Sequence, residues 1–214
     1  MYQMKGNTQM AMVLLVAFFS SVLITFLPLI TLRYYSKDVS FLMMLTTEFI
    51  LSLLVYFSFL RKTMDNSLMP KFSKKYATIF IYCFAILAAL QIIAFILVLK
   101  RGEAIQAHFS LILTIIMTVI VPLHEEIFYR GCLFTGLCLF FKGKHIIASA
   151  CVSSLIFCAM HFQYSDPFDF IVLLIASTLL IIIKLKTSGL FYPVILHSSM
   201  NMVFLSVNLQ NIYR

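Results

Sequence analysis

The chain has 214 residues, of which 62% are hydrophobic and only 11% charged, with a formal net charge of +8. A soluble domain carries about 25% charged residues because its surface must be wetted, so this composition excludes a soluble fold and implies a lipid-facing surface. The positive charge lies in short clusters between apolar runs, such as Arg61, Lys62, Lys71, Lys74 and Lys75, which is the pattern of loops at an anionic membrane face. Without a basic helix or an aromatic-interleaved patch, the same charge gives no footing for nucleic acid.

The first apolar run, Gln9–Leu32, follows Lys5. It exceeds the ~7–15 residues of a signal-peptide core and lacks a small-residue cleavage site, so it predicts a first membrane helix. Helices of about 20 apolar residues cross the hydrocarbon core, and the later runs predict them over Phe41–Leu60, Ala77–Leu99, Ala107–Leu123 leading on to Phe141, Ile146–Phe162, Phe168–Ile183 and Leu190–Asn208. Continuous apolarity favours helices over barrel strands, which alternate. Pro122 interrupts the fourth run and predicts a break into two helical pieces. The expected fold is therefore an all-α, polytopic membrane bundle of seven or eight helices. The five cysteines are an odd number in apolar stretches with no CxxC, and they read as small buried hydrophobes.

Loop charge predicts topology. Arg61–Lys75, Lys142–Lys144 and Lys184–Lys186 read as basic loops, and Gln163–Asp169 as an acidic one. With the N-terminus inside and seven crossings, the basic loops fall inside and the acidic loop outside. Lys100 and Arg101 run against that scheme, partly offset by Glu103.

Arg130 reads as the single basic side chain well inside an apolar run, and Glu48, Glu125 and Glu126 as carboxylates similarly placed. An ionisable group within a membrane costs a few kcal/mol or more and is a functional-site hypothesis by default. In His124-Glu125-Glu126-Ile127-Phe128-Tyr129-Arg130, Glu126 and Arg130 are spaced to share a helix face and neutralise each other. Glu125 is rotated about 100° away, which leaves it as the freer carboxylate and the candidate general base. His161 closes one apolar run with Phe157 a turn before it, and His197 lies in the last run with Asn201 a turn after it. Glu125 lies 17 residues before Lys142, and His161 lies 17 after Lys144. Antiparallel helices joined there hold the two at matched depth.

Hydrolysis of a peptide bond needs a base for water and donors for the tetrahedral oxyanion. Glu125 and His161 suit the first task, His197 and Asn201 the second, and Glu126 with Arg130 suits orientation and charge balance. Other intramembrane protease chemistries lack their residues. The HExxH spacing ends in Phe128, no GxSG occurs, and Asp38, Asp65, Asp166 and Asp169 lie in or beside loops. Taken singly, each residue has a plainer reading: an ion pair for Glu126 and Arg130, interhelical hydrogen bonds for His161, His197 and Asn201, packing for Phe157. Glu48, His124 and Gln91 read as structural, His108 and His145 as interfacial.

The three motifs in order, Glu125-Glu126-x-x-x-Arg130, Phe157-x-x-x-His161 and His197-x-x-x-Asn201, resemble those of the CAAX protease and bacteriocin-processing family (CPBP, or Abi), with Arg130-Gly131 and Ser188-Gly189-Leu190 fitting as well. The resemblance covers about Thr114–Phe204. It implies an intramembrane endopeptidase that acts on a peptide or membrane-protein substrate. In such an enzyme, water is activated by Glu125 and His161, and the oxyanion is held by His197 and Asn201. Members are associated with bacteriocin self-immunity and peptide maturation, and the short chain suits a multi-pass protein of a bacterial cell membrane. Two histidines and a glutamate, Glu125, His161 and His197, are a zinc-type donor set, but the family's metal-free glutamate mechanism is favoured and no cofactor is firmly expected. Residues 106–208 form the expected protease core, 1–105 a set of helices without a motif, and 209–214 a short tail. The rival reading is a non-catalytic membrane immunity or scaffold protein that retains the site.

Overall fold

The computed structural model describes residues 8–62, 64–101, 115–161 and 166–210. Glu103, His108, the start of the fourth span (107–114), the acidic-loop residues 163–165 and the end of the tail (211–214) lie outside the described residues.

The described residues form helices and no strands, and the fold is an all-α polytopic membrane bundle. α1 covers Thr8–Ile24 and is followed by a single turn, Pro28–Thr31. α2 is Lys37–Ser58 and α3 is Lys74–Arg101. α4 is a helical rod over 115–140, α5 is Ile146–Ala159, α6 is Pro167–Thr187 and α7 is Phe191–Gln210. Among the described residues four segments are long and apolar enough to cross a bilayer: Thr8–Thr31, Lys37–Lys62, Lys74–Leu97 and Pro167–Thr187. α5 and the Phe191–Leu205 part of α7 are apolar but shorter.

Helix starts follow local chemistry. Ser36 accepts from the Val39 amide at the start of α2, and Asp166 accepts from the Phe168 amide with Pro167 at the first position of α6. Each pairing satisfies a donor that the first helical turn leaves open.

The rod corrects the expected break at Pro122. It runs unbroken through a π-helical segment Ile116–Ile120, an α-helical segment Val121–Glu125, a second π-helical segment Glu126–Phe134 and a final α-helical segment Thr135–Phe140. A proline ring clashes with the carbonyl four residues back and removes one helical hydrogen bond. Here that carbonyl belongs to Thr118, inside the first π-helical segment, where the ladder already runs to the fifth residue and the helix is wider. The irregularity absorbs the proline without a break.

α1 packs along the second half of the rod. Ala11, Leu14 and Phe18 are fully buried against Tyr129, Cys132 and Leu133, and Phe18 meets Tyr129 edge-on at 5.3 Å between ring centroids. Gly136 permits this approach, since a Cβ there would lie 3.1 Å from Leu15 Cγ and 3.4 Å from the Ala11 carbonyl. Small residues at helix contacts are how membrane helices gain dispersion energy when lipid supplies no hydrophobic drive. The serines of α5 serve likewise: Ser149, Ser153 and Ser154 are buried, and Ser153 donates to the Tyr129 carbonyl.

The segment between α2 and α3 is a strap across one end of the bundle. Its Ser67 carbonyl accepts from the Leu190 amide at 2.9 Å, Lys71 donates to the Ser188 carbonyl, and Asn66 is fully buried. The strap, the end of the rod and the α6–α7 turn therefore share one end, which carries Arg61, Lys62, Lys71 and Lys186. Lys184 is a correction. It was expected in a basic loop, but α6 continues to Thr187 and Lys184 is 1% exposed. Three oxygens around its ammonium make that burial tolerable.

Candidate active site

The rod supplies the acidic pair at its change from α to π geometry: Glu125 is the last α-helical residue and Glu126 the first π-helical one. Their environments differ. The Glu126 side chain is 0% exposed and that of Glu125 is 18% exposed, so Glu125 is the carboxylate a substrate or water can reach. Glu125 Oε2 and Glu126 Oε2 have no hydrogen-bond partner among the described residues.

His197, from α7, stands between the two. Its Nδ1 is 2.9 Å from Glu126 Oε1 and its Nε2 is 3.7 Å from Glu125 Oε2. The first contact is a hydrogen bond; the second is an electrostatic approach longer than one. With Glu126 ionised, Nδ1–H is the donor.

Arg130 faces Glu126 as the sequence spacing predicts, with Nη1 at 3.1 Å from Oε1 and both side chains fully buried. The N–H is not aligned on that oxygen, because Nη1 makes no hydrogen bond. The contact is therefore ionic in character. Nη2 supplies the directed bond, donating to Ser177 Oγ on α6 at 3.0 Å. Beneath the guanidinium lies Phe157, whose ring centroid is 4.5 Å from the Arg130 Cζ. Phe157 also contacts the rings of His161 at 4.4 Å, Tyr129 at 5.0 Å and His197 at 6.1 Å. It is the floor on which the cation and both imidazoles rest.

His161 follows the end of α5. Its Nδ1 bonds the Phe157 carbonyl at 2.8 Å. A carbonyl can only accept, so Nδ1 carries the proton, and a neutral ring has its lone pair at Nε2. Glu125 lies within electrostatic reach of His161, His197, His124 and Arg130. Asn201 sits further along α7. Its Nδ2 donates to the Met117 carbonyl at 3.0 Å in the first π-helical segment, which leaves one of its two amide protons for another acceptor.

The fold thus brings Glu125, Glu126, Arg130, His161 and His197 around Phe157, and places Asn201 against the preceding π-helical segment. His124 and Glu48 pair with each other, Nε2 to Oε2 at 3.2 Å and both buried, tying α2 to the rod. Among the described residues no three His, Cys, Asp or Glu side chains are grouped to hold an ion. Sequence reasoning missed Ser177, Lys184, Asn66 and Thr135. Lys184 ends an apolar run two residues before Lys186 and reads as loop charge; its seven-residue spacing from Ser177, two helical turns, was the available signal.

The fold and this cluster define a polytopic helical membrane protein with a buried glutamate–histidine–arginine centre suited to hydrolytic chemistry. Residues 107–203 match the family model described as Rce1-like, type II CAAX prenyl endopeptidase. This is the family that the three motifs resemble, and the matched segment contains all three of them. Comparison with curated proteins gave no match, and neither did comparison with solved structures.

Proposed function

We propose that the protein is an intramembrane endopeptidase in which Glu125 activates water against a peptide bond of a membrane-associated protein or peptide. The carrying observation is the His197 imidazole held between two carboxylates of unlike exposure. Glu126 is committed to Arg130 and His197, while Glu125 keeps an accessible edge.

In the proposed reaction Glu125 takes a proton from water as the oxygen adds to the scissile carbonyl carbon. His161, with its lone pair at Nε2, polarises the same water. The carbonyl oxygen becomes an oxyanion held by His197 and the remaining amide proton of Asn201. Because Nδ1–H of His197 is committed to Glu126, donation from Nε2 requires the doubly protonated ring. The C–N bond then breaks, and Glu125 returns its proton to the leaving amine. Arg130 and Phe157 hold Glu126 and the imidazoles in place. We assign the activity to bacteriocin self-immunity or peptide maturation in a bacterial membrane, on the support of the motif resemblance alone.

The test compares peptides released in cells carrying wild-type protein or Glu125→Ala. Precursor peptides that span the cleavage sites of products lost with Glu125→Ala are then synthesised as substrates for the purified protein, with His161→Ala and His197→Ala alongside. Loss of cleavage in all three supports the reading. Unchanged turnover in all three overturns it and favours a non-catalytic immunity or scaffold role.

A further inference from the structure

The site is gripped from a side that its three motifs do not include. Ser177 and Lys184 lie two turns apart on the buried face of α6, 0% and 1% exposed. Ser177 receives the Arg130 guanidinium. Lys184 Nζ reaches the Arg130 main-chain carbonyl at 2.6 Å, and also Thr135 Oγ1 at 2.6 Å and Asn66 Oδ1 at 2.7 Å. One helix therefore holds both ends of the same arginine.

That carbonyl has two lone pairs and can accept side-chain donors as well as the helix ladder. Arg130 lies within the π-helical segment Glu126–Phe134, where the regular ladder is displaced. Thr135 Oγ1 also bonds it at 2.9 Å. Lysine has three donors, and three oxygens surround it. The node also completes the charge pattern. Glu125 and Glu126 bring two carboxylates to the rod, and Arg130 is one cation beside them. Lys184 is the second, within electrostatic reach of Glu126. Asn66 comes from the strap, outside the segment 107–203 that matches the family.

We propose that Lys184 is a positioning residue for the active site: with Thr135 and Asn66 it holds the Arg130 carbonyl, so that the guanidinium stays on Glu126 and over Phe157. This rests on the endopeptidase reading above. Lys184 touches no reacting atom in this scheme. It fixes the π-helical register on which the acidic pair is mounted, and it links the strap to that register.

The experiment measures kcat and KM on a peptide that wild-type protein cleaves and Glu125→Ala does not. Thr135→Val keeps the shape of the side chain and removes its hydroxyl; Thr135→Ser keeps the hydroxyl and removes a methyl. A polar node predicts kcat at least about tenfold lower in Thr135→Val, KM within about threefold, and near wild-type kcat in Thr135→Ser. Lys184→Met is expected to lose more, about a hundredfold in kcat. Should Lys184→Met fail to fold, the threonine pair still decides. Wild-type kcat in Thr135→Val overturns the proposal, whatever Thr135→Ser does. If every peptide that wild-type protein cleaves is cleaved equally by Glu125→Ala, the endopeptidase reading fails instead, and the two failures are distinct.

Discussion

His197 Nδ1 lies 2.9 Å from Oε1 of Glu126, the same oxygen that faces Arg130. The acidic pair is therefore divided by its partners: Glu126 is fixed between a cation and an imidazole, and Glu125 is left for chemistry. Replacing each by glutamine separates the two roles. Glu125→Gln is expected to lower turnover by about a hundred- to ten-thousandfold, the range of a general base, with unfolding unchanged. Glu126→Gln leaves the Arg130 charge buried without its counterion, which costs about 3–5 kcal/mol. Thermal unfolding in detergent and yield of folded protein should fall in Glu126→Gln alone. Equal stability of the two variants contradicts this division.

Phe157 carries more of the site than packing. Its ring supports Arg130 and contacts both His161 and His197. A desolvated cation–π contact contributes about 2 kcal/mol, so Phe157→Leu should cut kcat roughly ten- to thirtyfold and Phe157→Tyr much less. Steady-state rates on one peptide substrate check this. Wild-type kcat in Phe157→Leu would return the residue to a purely space-filling role.

Membrane crossing was legible because apolar runs of sufficient length are unambiguous, and the meeting of Glu126 with Arg130 was legible because it depends only on spacing along one helix. The continuity of the rod was hidden: proline signals a break, and nothing in the letters announces a π-helical segment that accommodates it. Lys184 was hidden for a related reason. Its burial depends on Asn66 and Thr135, residues 118 and 49 positions away, and one-dimensional charge patterning assigns such a lysine to a loop. Phe157 was visible as a letter in a motif, but its role as a floor depends on three helices arriving together.

The donor geometry makes a prediction about metal. His197 Nδ1 faces Glu126 and His161 Nδ1 a backbone carbonyl, bonding that orients both rings and leaves chemistry to their Nε2 atoms, while no three His, Cys, Asp or Glu side chains among the described residues are grouped to hold an ion. On the proposed reading, in which Glu125 activates water without a metal, cleavage by purified protein should survive prolonged treatment with a zinc chelator such as phenanthroline, and metal analysis should find well under one zinc per chain. Activity lost to the chelator and restored by added zinc overturns the metal-free reading.

The turn between α6 and α7 tests how the strap supports the site. Ser188 is in the left-handed region at φ 49°, and a Cβ on Gly189 would lie 2.9 Å from the Ser67 carbonyl oxygen, closer than real contacts allow. That carbonyl already accepts from the Leu190 amide, and its neighbour Asn66 accepts from Lys184. Backbone on both sides leaves little room to yield. Gly189→Ala should destabilise the protein by about 1–3 kcal/mol, the usual range for overpacking, through displacement of the strap. Because Asn66 moves with Ser67, turnover should fall along with the unfolding temperature. Gly189→Ser should behave like Gly189→Ala, since the Cβ causes the clash. Unchanged unfolding in both variants, measured in detergent, would show that the strap yields without strain and does not brace the α6–α7 turn.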